Sequence, residues 1–447
     1  MSGTSPPAPG TATRVAVQRS SSSDVPAAAA VRARFLEVRR RTEDLAAPLS
    51  PEDAQVQSMP DVSPTKWHLA HTSWFFETLL LAAYDPDFAP FDPDFAYLFN
   101  SYYETLGARH PRPCRGLVTR PALSTVYAYR AAVSERLCAL LDTFAARDDW
   151  PAIAALIDLG CHHEEQHQEL LLTDIKHVLA QNPLAPAYHA PPPETGRRAP
   201  AMAWHRFDEG VYEIGHAGAG FAYDNETPRH RRYVHGFALA SRPVTNGEYR
   251  EFIADGGYRE PRLWLSDGWD WVRREGRTAP LYWSGTDGEW QLFTLHGRAE
   301  IDPDEPVAHL SCFEADAFAR WAGARLPREE ELEIAAAAMI DPGPVNDLSS
   351  GRCHPAVACG GEGTRPGILQ LQGDVWEWTQ SAYAAYPGYR PATGAVGEYN
   401  GKFMCNQYVL RGGSCVTPAG HWRPSYRNFF PAHAQWQFSG VRLAKDP

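Results

Sequence analysis

Apolar positions recur at helical spacing through the first ~180 residues, then give way to short alternating runs broken by glycine, so the chain reads as two kinds of structure in series. Four segments carry the helical pattern: about Ala28 to Leu45, a stretch opening at Ser63, Ser124 to Ala146, and Trp150 to Ala180. Ser63 suits an N-cap and Pro64 the first helical position, where a missing N–H leaves no bond unmade. Four long helices in this span predict an antiparallel bundle, a fold that builds metal sites from facing helices. In the second half FDEGVYEIG, HRRYVHGFALA, GEWQLFTL and YVLRGGSCV read as strands, and SCFEADAFARWAGARLPREEELEIAAAA as two helices split at Leu326-Pro327. Their irregular interleaving predicts an α+β class. The proline-rich stretch Asn182 to Ala201 divides the halves. The expected organisation is a multidomain α and α+β chain: a disordered tail over 1–29, a helical bundle over 30–181, a linker over 182–201 and an α+β domain over 202–447.

Polar residues on the inward stripes change this picture. In GCHHEEQHQELLLTDIKH, His163 and His167 are four residues apart and point the same way, on a stripe shared with Leu156, Leu159 and Leu170. A neutral imidazole facing an interior needs a hydrogen-bond partner or a metal. Two core histidines with satisfied hydrogen bonds would give the same pattern, so a third ligand decides. In SPTKWHLAHTSWFFETLLLAAY, His71 lies on the stripe Trp67, His71, Trp74, Thr78, whereas His68 is shifted toward Phe75 and Leu79. His71 with His163 and His167 makes a three-nitrogen face with open coordination positions, as catalytic metals have; imidazole alone does not choose between iron, zinc, copper and nickel. Glu169 points roughly the opposite way from His167 and suits a supporting position behind the ligands.

Composition narrows the class. The formal net charge is −12 over 447 residues with no basic block, which gives no support for nucleic-acid or membrane partners. No apolar run approaches the ~20 residues that span a bilayer. The first ~30 residues lack the basic-then-apolar order of a signal peptide. Eight cysteines occur without a C-x-x-C pair, which fits a reducing cytoplasm. Within FNSYYETLGARHPRPCRGLVTRP, Tyr102 and Tyr103 are adjacent, and Arg109, Arg112, Arg115 and Arg120 form a basic cluster. They read as solvated charge or, for Arg112 and Arg115, as a carboxylate clamp in a proline-stiffened loop.

Together these segments resemble the sulfoxide synthases of ergothioneine biosynthesis, which join a DinB-like four-helix bundle to a C-type-lectin-like domain of formylglycine-generating-enzyme type. The resemblance rests on WHLAH, HEEQHQE and FNSYYE, and on RPVTNGEY, ARWAGARLPREEE, GDVWEWT, RGGSC and YRNFF, in that order. It implies an iron(II) enzyme that uses O2 to join a thiol sulfur to the imidazole C2 of hercynine, the trimethylated betaine of histidine.

It also implies that His71, His163 and His167 bind the iron, that Gln166 holds the hercynine imidazole, and that Asn428 lies near its betaine end. C-terminal aromatics such as Phe429 and Phe430 suit a trimethylammonium group, which cannot donate hydrogen bonds. The family's catalytic acid is a tyrosine. Tyr102 and Tyr103 match it in the cysteine-using branch, and Tyr383 and Tyr386 resemble the placement in the γ-glutamylcysteine-using branch. Members that use γ-glutamylcysteine carry an acidic residue two positions after the asparagine and an arginine four beyond that. This chain has Phe430 and Ala434 there, which points to a smaller donor, most simply free cysteine. Selenoneine formation from hercynine and a selenosugar fits the same motifs. Readings of other classes are a metal-dependent thiol S-transferase of DinB type, a formylglycine-generating oxidase using Cys405 and Cys415, and a lectin-like binding module. Ligands before the linker and recognition residues after it place the expected site at the domain seam.

Overall fold

The computed structural model describes residues 26–191, 196–218, 220–286, 289–338, 345–359 and 367–447; most of the expected N-terminal tail and part of the linker lie outside them. The helical half contains α1 (Ala28–Ala46), α2 (Thr65–Phe76), α3 (Leu123–Ala145) and α4 (Trp150–Ala180). α2 runs on through one π turn, Glu77–Leu81, into Ala82–Tyr84. Its start differs from the sequence reading. Pro64 is the cap and no side chain caps the helix; the Ser63 amide donates to Asp174 at 2.8 Å and its hydroxyl accepts from Arg115 at 2.9 Å. Tertiary partners thus took the groups that local capping would have used.

α1, α2, α3 and α4 pack around Phe35, Trp74, Phe75, Phe76 and Phe144. Gly160 lets α4 approach α2, because a Cβ there would sit 2.4 Å from the Phe76 ring. One turn on, Glu164 is wholly buried between Arg39 at 2.9 Å and Arg130 at 2.8 Å. Burial alone would raise its pKa, but the two guanidiniums hold it down to about 2.

The second half is α+β. A four-stranded sheet has the order β10 (Asn428–Pro431), β9 (Gln407–Arg411), β8 (Trp376–Ala382), β11 (Ser439–Gly440). β9 is antiparallel to both β8 and β10, whereas β11 runs parallel to β8. A three-stranded sheet joins β1 (Trp204–Phe207), β4 (Phe237–Ala240) and β12 (Ala444–Lys445); β2 (Gly210–Ile214) pairs with β3 (His230–Val234), and β5 (Trp283–Thr286), β6 (Glu289–Thr294) and β7 (Gly297–Glu300) form a meander. The core between them holds Trp376, Trp378, Tyr249, Phe252 and Phe318.

The two halves are pinned along α4. Glu169 accepts hydrogen bonds from Trp376 Nε1 at 2.6 Å, Ser414 Oγ at 2.7 Å and Thr417 Oγ1 at 2.8 Å. Asp174 accepts from Trp436 Nε1 at 3.1 Å. In the linker Tyr188 reaches both sides, its amide bonded to Leu295 O and its hydroxyl to Leu45 O. Among the described residues no helix is long and apolar enough to cross a membrane.

Candidate metal centre

α2 contributes His71 and α4 contributes His163 and His167; one potential ligand atom from each lies within 4.8 Å of the others. The side chains are nearly closed off from solvent, at 1%, 8% and 9% exposure. Aromatic rings hold them in place. His71 is stacked between Trp67 at 4.4 Å and Trp74 at 5.4 Å, and Phe75 stacks on His163 at 4.4 Å.

The partners of these rings assign their tautomers. His71 Nδ1 faces the Phe99 carbonyl at 2.6 Å; a carbonyl only accepts, so Nδ1 carries the proton and the Nε2 lone pair is free. His167 Nδ1 lies 2.8 Å from His68 Nδ1, and His68 Nε2 lies 3.0 Å from Asp174 Oδ2. The carboxylate accepts from His68, so His68 Nδ1 accepts from His167, and Nε2 of His167 is left with its lone pair. His163 Nδ1 is buried without a partner. Burial lowers the pKa of all three rings, to about 4 for His163 and well below the usual value for His71 and His167, where neighbouring histidines add to the effect. Neutral imidazoles with free lone pairs converging in a dry site fit a divalent metal. Glu169 does not support them: it serves the seam with the second half, and the residue behind His167 is His68.

The loop after α2 borders this centre. Tyr103 is buried, its ring 5.6 Å from Trp74 and 6.4 Å from Phe75, the rings that stack on His71 and His163. Burial pushes its phenol far above the usual value, so it stays protonated. The Tyr102 hydroxyl is engaged by Arg112, and its ring packs edge-on to Phe403 at 4.8 Å, in the second half. Arg115 is buried, lies 3.4 Å over the Trp67 ring and donates to Ser63 and Ser101 hydroxyls. Neither Arg112 nor Arg115 has a carboxylate partner among the described residues. Burial, then Arg112, pushes the Arg115 guanidinium down to about 9.

The second half closes the other side. Gln166 Nε2 donates to Tyr426 Oη at 2.8 Å, linking the residue just before His167 to the far side of the seam. Asn428 starts β10, where its Oδ1 accepts from the Phe429 amide. Phe429 stacks on Tyr383 at 4.1 Å and lies 5.7 Å from Phe403, which continues to Tyr102. Phe430 packs on Trp436 beside Ala434 and Val62 in an apolar patch. Tyr383 hydrogen-bonds Asn225. Tyr386 is not brought to the histidines. Its hydroxyl joins Arg411 at 3.0 Å in an ion cluster with Glu329, Glu333 and Arg427, which captured a residue that sequence alone placed at the substrate.

Every described cysteine is free. Cys405 is exposed, while Cys415 is buried with its thiol pushed well up by burial, the opposite of a reactive pair.

From the sequence, His68 stood only as an alternative to His71, and Asp174, His421 and Tyr426 were missed. Asp174 had a legible signal, since it lies seven residues after His167 and returns to the same helix face after two turns. Tyr426 stands at the head of YRNFF, but nothing local showed that its hydroxyl would meet Gln166.

Similarity searches agree with this architecture. The DinB superfamily matches residues 34–171, and the sulfatase-modifying factor enzyme 1-like domain matches 191–343 and 362–447. A hercynine oxygenase of Mycolicibacterium thermoresistibile is 35% identical over 94% of this chain and 96% of its own length. Those of Mycolicibacterium smegmatis and Mycobacterium tuberculosis are 35% and 34% identical, each over 88% of this chain and 94% of its own length. With both domains matched in order and relatives aligned nearly end to end, the chain belongs to the sulfoxide synthase family of ergothioneine biosynthesis.

Proposed function

We propose that this protein is an iron(II)- and O2-dependent enzyme that joins the sulfur of free cysteine to the imidazole C2 of hercynine, giving hercynylcysteine sulfoxide. The observation that carries the reading is the pairing of three neutral histidines with two arginines that form no salt bridge among the described residues: Arg115 lies over Trp67, the ring that stacks on His71, and Arg112 engages the neighbouring Tyr102 hydroxyl. A metal held by His71, His163 and His167 keeps open positions, and iron there supplies electron transfer to O2 and keeps a bound thiol as thiolate.

The remaining steps belong to the chain's own residues. Arg115, desolvated and bonded only to hydroxyls, binds the carboxylate of the sulfur donor, and Arg112 adds charge beside it. Gln166 orients the imidazole. Phe429 and its neighbours present aromatic faces to the trimethylammonium. Tyr103, kept protonated by burial, would supply the proton that the reaction consumes. It is preferred over Tyr102 because its ring touches Trp74 and Phe75, which stack on His71 and His163, whereas the Tyr102 ring packs on Phe403 of the second half. The apolar patch at Phe430 and Ala434 favours a donor no longer than cysteine.

Mass spectrometry of an aerobic mixture of hercynine, iron(II), cysteine, γ-glutamylcysteine and a selenosugar tests the reading. The expected product is the cysteine sulfoxide adduct; exclusive use of the selenosugar would replace cysteine as the donor. Tyr103→Phe should slow C–S bond formation by about 10²-fold or more, the scale of a general acid, and divert cysteine to its sulfinate. An unchanged rate and product ratio would remove Tyr103 from the mechanism.

A further inference from the structure

On the side of α4 away from the metal ligands, Glu165 and His162 meet His421 of the second half. Glu165 Oε2 lies 3.1 Å from His162 Nδ1 and 3.2 Å from His421 Nδ1, and the two nitrogens are 3.2 Å apart. Arg34 of α1 places its fork on both Glu165 oxygens at 3.1 Å, and one arm is 3.4 Å from His162 Nε2. His421 Nε2 lies 3.3 Å from Tyr426 Oη, which receives the Gln166 amide at 2.8 Å. Glu165, His421 and Tyr426 are at most 5% exposed, so water does not rescue a mismatched pair.

The direction of every bond in this chain follows from its two ends. A guanidinium can only donate and a carboxylate can only accept. Arg34 donates to His162 Nε2, so His162 Nδ1 carries a proton, which Glu165 accepts at 3.1 Å; His421 Nδ1, whose lone pair would otherwise face the carboxylate at 3.2 Å, donates to Glu165 as well. Burial, the largest effect, keeps His421 neutral, lowering it to about 4 despite that carboxylate, so Nε2 is an acceptor. The Tyr426 hydroxyl gives its proton to Nε2, and its oxygen is left to receive the Gln166 N–H. The amide is thereby locked with its nitrogen toward the second half and its oxygen free: no described residue donates to Gln166 Oε1.

We infer that Glu165, His421 and Tyr426 form a one-way hydrogen-bond relay that sets Gln166 as an acceptor at the metal site, so that a ring seated there must present an N–H. An imidazole bound to the metal through one nitrogen and carrying its proton on the other meets this demand; a ring alkylated on that second nitrogen does not. His421, Glu165 and Tyr426 are positioning residues, and the relay makes docking of the second half a condition for discriminating substrates. The inference rests on the reading of Gln166 as the seat of the substrate imidazole. It is therefore tested by binding, which reports whether or not hercynine is turned over.

The full chain is loaded with cobalt(II) as a spectroscopic probe and titrated with imidazole and with 1-methylimidazole. The intact protein should bind imidazole about tenfold more tightly, the scale of one buried hydrogen bond. Tyr426→Phe and His421→Phe should reduce that ratio to about twofold or less, and His421→Gln, whose amide can still donate to Glu165 and accept from Tyr426, should restore it. Tyr426→Phe removes a single oxygen and guards against misfolding of the His421 variant. An unchanged ratio in Tyr426→Phe overturns the relay. So does a second equivalent of cobalt that disappears in His421→Phe, because the cluster would then be a metal site and the bond directions would no longer hold.

Discussion

Two histidine clusters share α4, and their chemistry is opposite although His162 and His163 are adjacent in sequence. The cluster of His71, His163 and His167 holds no carboxylate or guanidinium; Nδ1 of His71 and of His167 is hydrogen-bonded, which leaves their Nε2 lone pairs free, and His163 Nδ1 is buried without a partner. The cluster of His162, Glu165 and His421 satisfies its groups internally, with Arg34 as a fixed cation. In both, one potential ligand atom from each residue lies within 4.8 Å of the others. What separates them is the hydrogen-bond accounting: a buried nitrogen left unpaired is costly unless something binds it, whereas a nitrogen already paired with a carboxylate is not.

The largest test of this contrast is metal retention. His71→Ala, His163→Ala and His167→Ala should each reduce bound iron(II) from about one equivalent to near zero by elemental analysis, with loss of turnover. His162→Ala should retain the metal. Retention in His163→Ala together with loss in His162→Ala would invert the assignment.

The charged layer between the clusters gives the next effect. Glu164 lies between His163 and Glu165 in sequence and is buried against Arg39 and Arg130. Glu164→Ala strands two guanidiniums in the bundle and should cost about 3–5 kcal/mol in denaturant unfolding. The same pair predicts acid behaviour. The folded pKa of about 2 lies below the unfolded value of ~4.3, so its stabilisation is complete above the unfolded value and is lost as pH falls through the folded one. Glu164→Gln should flatten stability between about pH 4 and pH 2; a variant that loses stability there as steeply as the parent would assign the slope to other carboxylates.

How much of this contrast the sequence carried follows from what periodicity encodes. Spacing on one helix showed that His163 and His167 share a face, and the stripe through Trp67 and Trp74 picked out His71 over His68. Such patterns report direction within an element. They do not report what a distant segment brings to that face. His421 is 259 residues from His162, and the fate of Glu169 depended on Ser414 and Thr417, so a carboxylate read as backing for the ligands became a clasp for the second half. Tyr386 was misplaced for the same reason, since Arg411 and Glu329 that hold it come from separate elements.

The smallest expected effect concerns His68, which bonds His167 from behind the three-histidine face. Its partner Asp174 accepts from three donors: the Ser63 amide and His68 on Oδ2, and Trp436 Nε1 on Oδ1. Asp174→Ala removes the acceptor that sets the His68 tautomer, and through it the lone pair of His167. Loss of such support lowers metal affinity by about 10–100-fold, measured by competition with a chelator. Asp174→Asn should do less. Its amide can keep the oxygen toward Ser63 and His68 and turn the nitrogen toward Trp436, so the metal is held while the seam loses one bond. Glu165→Gln, the matching change in the other cluster, should leave metal affinity unchanged. If Asp174→Asn weakened the metal as much as Asp174→Ala, the negative charge and not the direction of the hydrogen bonds would be what supports His167.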